Sequence, residues 1–127
     1  MRINHVAIYG NNIDEMYSFY HTILGFSEME RVFDDDGKIR MIRLRVSESQ
    51  NLEIFNFNSM QIEKKSGYVN RGYMHLGFAH SDVGEIRNRL VANNILICED
   101  IKVGHDGLRH FFIEDPEKNL IEFTEVI

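Results

Sequence analysis

Cysteine, proline and basic charge are all scarce in this chain of 127 residues, and each scarcity excludes something. A single cysteine, Cys98, cannot close an internal disulfide, so a hydrophobic core must hold the fold and a reducing compartment is expected. No apolar run approaches the length of a membrane span, and the N-terminus leads straight into a strand pattern without signal-peptide architecture. The expectation is a cytoplasmic protein with no membrane contact. Lys and Arg number 14 against 20 Asp and Glu, for a net charge of −6, so the clustered cations that grip a phosphate backbone are missing and nucleic acid is not an expected partner. Lys64-Lys65 comes nearest and reads as a solvated loop.

What is present fits an ordinary globular chain: 43% of residues are hydrophobic and 27% charged, and the length predicts one domain, 1–127, with its own core. Arg2 to Tyr9 alternates as a strand, with His5, Ala7 and Tyr9 on one face and Val6 and Ile8 on the other. Asn12 and Glu15 resemble a capping box, and Ile13, Met16, Tyr17, Tyr20, Ile23 and Leu24 recur at helical spacing up to Gly25. Strands are then expected over Phe26–Phe33, Met41–Val46 and Asn51–Phe57, with Asp34 to Gly37 as a hairpin turn. After a polar linker at 58–71 the order repeats: a strand over Tyr73–His80, a helix capped by Ser81 or Asp82 and carrying Val83, Ile86, Leu90 and Val91, and strands at Ile95–Val103, Leu108–Glu114 and Leu120–Val126. The predicted fold is α+β, two tandem βαβββ modules at 1–57 and 72–127.

A duplicated unit should place its special residues at matching offsets. His5 precedes Glu53 by 48 positions and His75 precedes Glu122 by 47 (53 − 5 and 122 − 75). Each half therefore carries a histidine on its first strand and a glutamate on its last, both among apolar neighbours. Two imidazoles and two carboxylates make a mixed nitrogen and oxygen site for a divalent first-row metal with coordination positions left open, and zinc, nickel, cobalt, manganese and iron(II) are all compatible.

The segments INHVAI around His5, NLEIF around Glu53, YMHLGF around His75 and DPEKNLIEF around Glu122, with Gly25-Phe26 after FYHTIL, resemble the vicinal oxygen chelate superfamily. That group holds glyoxalase I, methylmalonyl-CoA epimerase, extradiol dioxygenases, fosfomycin-resistance thiol transferases and bleomycin-resistance proteins. The resemblance implies paired modules whose sheets curl around a metal cup, commonly in a homodimer, with His5, Glu53, His75 and Glu122 as metal ligands. Four ligands are most similar to glyoxalase I and the epimerase. Three departures stand out: Lys118 takes a turn position where relatives usually have glycine, and Tyr9 and Phe57 replace an arginine and an asparagine that contact glutathione in glyoxalase I.

By the same resemblance, Glu122 or Glu53 would be the catalytic base, taking a proton from the carbon beside a metal-polarised carbonyl of a small-molecule substrate. Tyr9, Phe55, Phe57 and Tyr73 are expected to wall the site. Arg43 and Arg45, turned to the ligand face by alternation, are candidate clamps for an anionic group, and Tyr68 to Arg71 a candidate lid. Three functions compete: a metal-dependent lyase or isomerase, an iron(II) ring-cleaving dioxygenase using His5, His75 and Glu122, and a binding or resistance protein that turns nothing over.

Overall fold

Alternating apolar residues fix how the first half is built. In the computed structural model, which describes residues 1–56 and 72–126, β1 (His5–Gly10) runs parallel to β4 (Asn51–Asn56). Antiparallel pairing continues from β4 to β3 (Ile39–Arg45) and on to β2 (Ser27–Phe33), giving the order β1-β4-β3-β2. Ile42, Leu44, Leu52 and Ile54 alternate onto one face and are fully buried with Met16, Phe19 and Tyr20 of the helical segment. Arg43 and Glu53, one residue out of phase, lie on the opposite face.

The second half repeats the plan. β5 (Leu76–His80) is followed by α2 (Val83–Ala92), β6 (Ile97–Val103), β7 (Arg109–Glu114) and β8 (Leu120–Glu125), in the order β5-β8-β7-β6 with β5 parallel to β8. Its core is Val83, Ile86 and Leu90 from α2 with Phe111, Ile113, Ile121 and Phe123 from the sheet. The fold is α+β, two βαβββ modules each carrying a mixed four-stranded sheet, and the chain divides into two compact units, Met1–Glu63 and Lys64–Ile127. Both outer hairpin strands, β2 and β6, carry register shifts and charged pairs, Glu28 with Arg31 and Glu99 with Lys102, which make poor templates for further strand addition. Among the described residues no helix is long and apolar enough to cross a membrane.

Several expectations shift in detail. The helix expected from Ile13 to Leu24 is α-helical only over α1 (Ile13–Tyr17); Ser18–Ile23 is a π-helical segment, closed by Leu24 N–H donating to the Phe19 carbonyl at 3.0 Å. The wider turn lets the consecutive Phe19 and Tyr20 both reach the core, edge to face at 4.9 Å, which a regular α-helix disfavours by turning neighbours to different faces. Asn12 caps α1 through the Glu15 N–H, and Gly25 ends the segment at φ +83°. Asp82, rather than Ser81, caps α2, accepting from Gly84 and Glu85 N–H. Val91, counted among the core-facing positions, is 48% exposed, because α2 turns only Val83, Ile86 and Leu90 inward. β5 begins at Leu76, leaving Tyr73 and Met74 outside the ladder and exposed. The linker at 58–71, with the lid at Tyr68 to Arg71, and Phe57 lie outside the described residues.

The loop before β8 is Asp115–Asn119. Asp115, 4% exposed, accepts from the N–H groups of Glu117 and Asn119 and from the Asn119 side chain at 2.8–3.0 Å, while Lys118 takes φ +61°. The lysine therefore adopts the left-handed backbone for which glycine is the usual residue.

Candidate functional site

Directly paired residues on neighbouring strands share a sheet face. In the first half the register sets Ala7 beside Glu53 and Glu53 beside Arg43; in the second it sets Gly77 beside Glu122 and Glu122 beside Phe112. His5 precedes Ala7 by two positions on β1 and so shares the face of Glu53, whereas His75, expected on the first strand of its half, sits just ahead of β5 and meets Glu122 by direct contact. Each half thus gathers its own histidine and glutamate at an equivalent place: His5 Nε2 lies 4.0 Å from Glu53 Oε2, and His75 Nε2 lies 3.1 Å from Glu122 Oε2.

The surroundings of the two pairs differ. His5 Nδ1 shares a 3.0 Å hydrogen bond with Asn4 Oδ1, and its Nε2 is the ring nitrogen facing Glu53. Glu53 is 9% exposed, and its Oε1 accepts from Arg43 Nε at 3.0 Å and Nη2 at 2.8 Å, while Arg43 Nη1 donates to Glu30 Oε2 at 2.7 Å. An arginine fork thus bridges two carboxylates on three adjacent strands. In the second half Phe112 stands where Arg43 would, its ring edge to face with His75 at 5.5 Å. Glu122 has His75 as its single polar side-chain partner among the described residues, and His75 Nδ1 is buried with no hydrogen-bond partner. An orphaned buried nitrogen costs about 1–3 kcal/mol and calls for a functional or ligand-based explanation.

Beside Glu122 is a cavity of about 520 Å³ lined also by His110, His105, Asp106 and Lys102. Gly104 shapes it by close approach: a Cβ there would come within 2.9 Å of the His110 ring and of Asp106 Oδ1, so any larger residue displaces the imidazole. His110 had a sequence signal, one alternation step from Phe112 towards the hairpin. Lys102 and the Gly104–Asp106 turn had none, since their approach to Glu122 depends on the β6–β7 register.

Of the other expected site residues, Tyr9 and Phe55 meet edge to face at 6.0 Å on the ligand face of the first half. Arg43 does reach that face, but its guanidinium is spent on Glu53 and Glu30. Arg45 is exposed and lies beside Asn51 and Ser27 in the ladder, two positions from the glutamate. Tyr73 is fully exposed ahead of β5.

Whether these residues fit a divalent ion can be judged pair by pair. Two donors about 2.1 Å from one ion and in neighbouring coordination positions lie about 3.0–3.4 Å apart, which the His75–Glu122 spacing of 3.1 Å matches. The His5–Glu53 spacing of 4.0 Å is wider, and Oε2 is the carboxylate oxygen that Arg43 leaves open. Nitrogen and oxygen donors of this kind suit zinc, nickel, cobalt, manganese and iron(II) alike. Among the described residues no group of three or more His, Cys, Asp or Glu side chains is gathered as one metal-binding cluster. Each half by itself holds a pair.

Known proteins share this plan. The chain is 27% identical over 126 residues to the uncharacterized protein YwbC of Bacillus subtilis (strain 168), covering 98% of this chain and 97% of that one. A solved glyoxalase family protein from Enterococcus faecalis superposes with a TM-score of 0.82 at 28% identity over 98% of this chain and 97% of its own. Lactoylglutathione lyase from Agrobacterium tumefaciens shares the fold at a TM-score of 0.71 and 22% identity, covering 98% and 92% of the two chains. The family described as Glyoxalase/Bleomycin resistance protein/Dioxygenase superfamily matches residues 2–123, and the chain belongs to it.

Proposed function

We propose that this chain is a metal-dependent lyase or isomerase, nearest in kind to glyoxalase I or methylmalonyl-CoA epimerase, acting on a small carbonyl compound or thioester. The observation that carries the reading is the pair of equivalent His–Glu contacts, one per half, in the same register of the same kind of sheet. His5, Glu53, His75 and Glu122 would together hold one divalent ion, the two pairs being supplied within one chain or by two copies in a homodimer. Such an ion supplies Lewis acidity towards a substrate carbonyl.

The chain's own groups account for the rest. A carboxylate from the pairs removes the proton from the carbon beside the carbonyl and returns it to that carbon or its neighbour. Tyr9 and Phe55 offer an apolar surface against which a substrate is shielded from water, and His110 and Lys102 line the polar cavity at Glu122. Tyr9 in place of a glutathione-contacting arginine favours a substrate other than a glutathione adduct. The test is solvent deuterium incorporation: metal-supplemented protein in D2O should label the carbon next to the carbonyl of hydroxyacetone or a short acyl thioester, and no labelling across such a panel would refute the reading.

One observation favours a second reading. Since Arg43 already neutralises Glu53, the donors left without a cationic partner are His5, His75 and Glu122, the two-histidine, one-carboxylate set of an iron(II) ring-cleaving dioxygenase. Oxygen uptake with catechols after iron loading would select it.

A further inference from the structure

We propose that Arg45, with Asn51 and Ser27 on either side of it, is an oxyanion site on the first half, taking a carboxylate or phosphate group carried by a small molecule. As a binding site it stands apart from the chemistry of the His–Glu pairs; calling its ligand the substrate rests on the proton-abstraction reading.

The register sets His5, Asn51, Arg45 and Ser27 in one line across β1, β4, β3 and β2, on the face that carries Glu53. The adjoining line, two residues or about 7 Å along the strands, is Ala7, Glu53, Arg43 and Glu30. Each line holds an arginine, and the two are used differently. Arg43 is filled by Glu53 and Glu30. Arg45 is exposed and makes no ion pair or side-chain hydrogen bond among the described residues. In a chain with 20 acidic residues against 14 basic ones that sets it apart, since Arg31, Arg87, Arg89 and Arg109 each hold a carboxylate. The carboxylates of the adjoining line are already committed to Arg43, so they compete weakly for Arg45.

A free guanidinium fork matches the oxygens of a carboxylate or phosphate, and it stays charged at any working pH. Asn51 adds an amide N–H and Ser27 a hydroxyl from strands about 4.8 Å to either side, so donors on three strands can meet on one anion. The backbone beneath them is fixed. Asn51 N–H donates to the Asn4 carbonyl at 3.0 Å, and the turn after Arg45 closes with Val46 N–H on the Gln50 carbonyl at 3.0 Å. Counting from the glutamates, the second half places Glu114 and Leu120 where the first has Arg45 and Asn51, an acid and a hydrocarbon that cannot serve an anion. The ligand class that follows is a short molecule with an oxyanion at one end, the other end lying within reach of the His5–Glu53 pair one line away.

Inorganic phosphate and, separately, succinate are titrated into the metal-free protein at constant ionic strength, with the Arg45 Nε–H and Asn51 side-chain amide signals followed by NMR. At least one of the two anions should move both signals along a saturating curve with a Kd of about 1–10 mM, the range that two or three charge-assisted hydrogen bonds support. Saturation by phosphate alone identifies a phosphorylated ligand, and by succinate alone a carboxylic acid; either supports the site. Arg45→Gln should weaken binding by about 10-fold or more, and Arg45→Lys, which keeps the charge but not the fork, should fall between. Arg40→Gln removes an exposed arginine in phase with the buried Ile42, on the other face of β3, and should change nothing. Failure of both anions to saturate, undiminished binding by Arg45→Gln, or an equal loss in Arg40→Gln overturns the inference. None of these readouts involves turnover, so their failure leaves proton abstraction standing, and absence of deuterium labelling leaves the anion site standing.

Discussion

The two halves of the chain set a histidine and a glutamate at the same register of the same kind of sheet, then support them differently. In the first half the pair is buttressed by polar neighbours: Asn4 shares a hydrogen bond with His5, Arg43 holds one oxygen of Glu53, and Glu30 holds Arg43. In the second half His75 Nδ1 has no partner, Phe112 replaces the arginine, and Glu122 stands beside an open cavity. The two halves start from the same plan, and position 43 against 112 is one of the places where they part.

The cores differ in the same spirit. Ile42 and Ile54 on the covered face of the first sheet correspond by register to Phe111 and Phe123 in the second, whose rings stack at 5.1 Å. The covered face of the second sheet therefore carries larger side chains than that of the first, whose bulk comes instead from Phe19 and Tyr20 of the helical segment, and Phe111→Ala should cost about 3–5 kcal/mol in chemical denaturation, whereas Ile42→Val should cost about 0.5–1.5 kcal/mol. Near-equal losses would mean the two cores are not organised as described.

The loops before the last strands offer the next contrast. Val46–Gln50 closes on backbone bonds, Val46 N–H to the Gln50 carbonyl at 3.0 Å, but the equivalent Asp115–Asn119 loop adds three bonds to the buried Asp115 carboxylate. Asp115→Ala should destabilise by about 2–3 kcal/mol, read as a drop in denaturation midpoint. Lys118→Gly should act the other way, raising stability by up to about 1 kcal/mol by relieving a left-handed backbone. A loss in that variant would show that the lysine side chain contributes more than its backbone costs.

Legibility in the sequence followed periodicity. The strands around His5, Glu53 and Glu122 were readable because β-branched and apolar residues alternate there, and the offsets of the two His–Glu pairs, 48 and 47 positions, agreed with the duplication that the order of elements suggests. Arg43 was readable as facing the glutamate but not as bound to it, since the fork's choice between a substrate anion and Glu53 depends on the β3–β4 register to a single residue. The π-helical segment was not readable at all: Ile13, Met16, Tyr20 and Leu24 fit a regular helix, and only packing of Phe19 beside Tyr20 calls for the wider turn.

The smallest expected effect concerns acid. Arg31, with help from Tyr17, holds the Glu28 carboxyl down to about 2 from its usual 4.5. A depressed pKa stabilises the fold above about pH 4.5, and that contribution is lost as pH falls through about 2. The pair is near the surface, so Glu28→Gln should lower stability at neutral pH by less than about 1 kcal/mol and flatten the acid limb of a stability profile. No equivalent buttress, with an arginine over a tyrosine ring at 4.7 Å, is found among the described residues of the second half.

Metal binding by protein purified without added ions, then titrated with zinc or nickel in a calorimeter, tests most directly whether the two His–Glu pairs serve one centre. One ion per chain is predicted, with affinity falling by about 10-fold or more in His5→Ala and in His75→Ala alike. Absence of binding, or binding that survives loss of either histidine unchanged, would contradict the account.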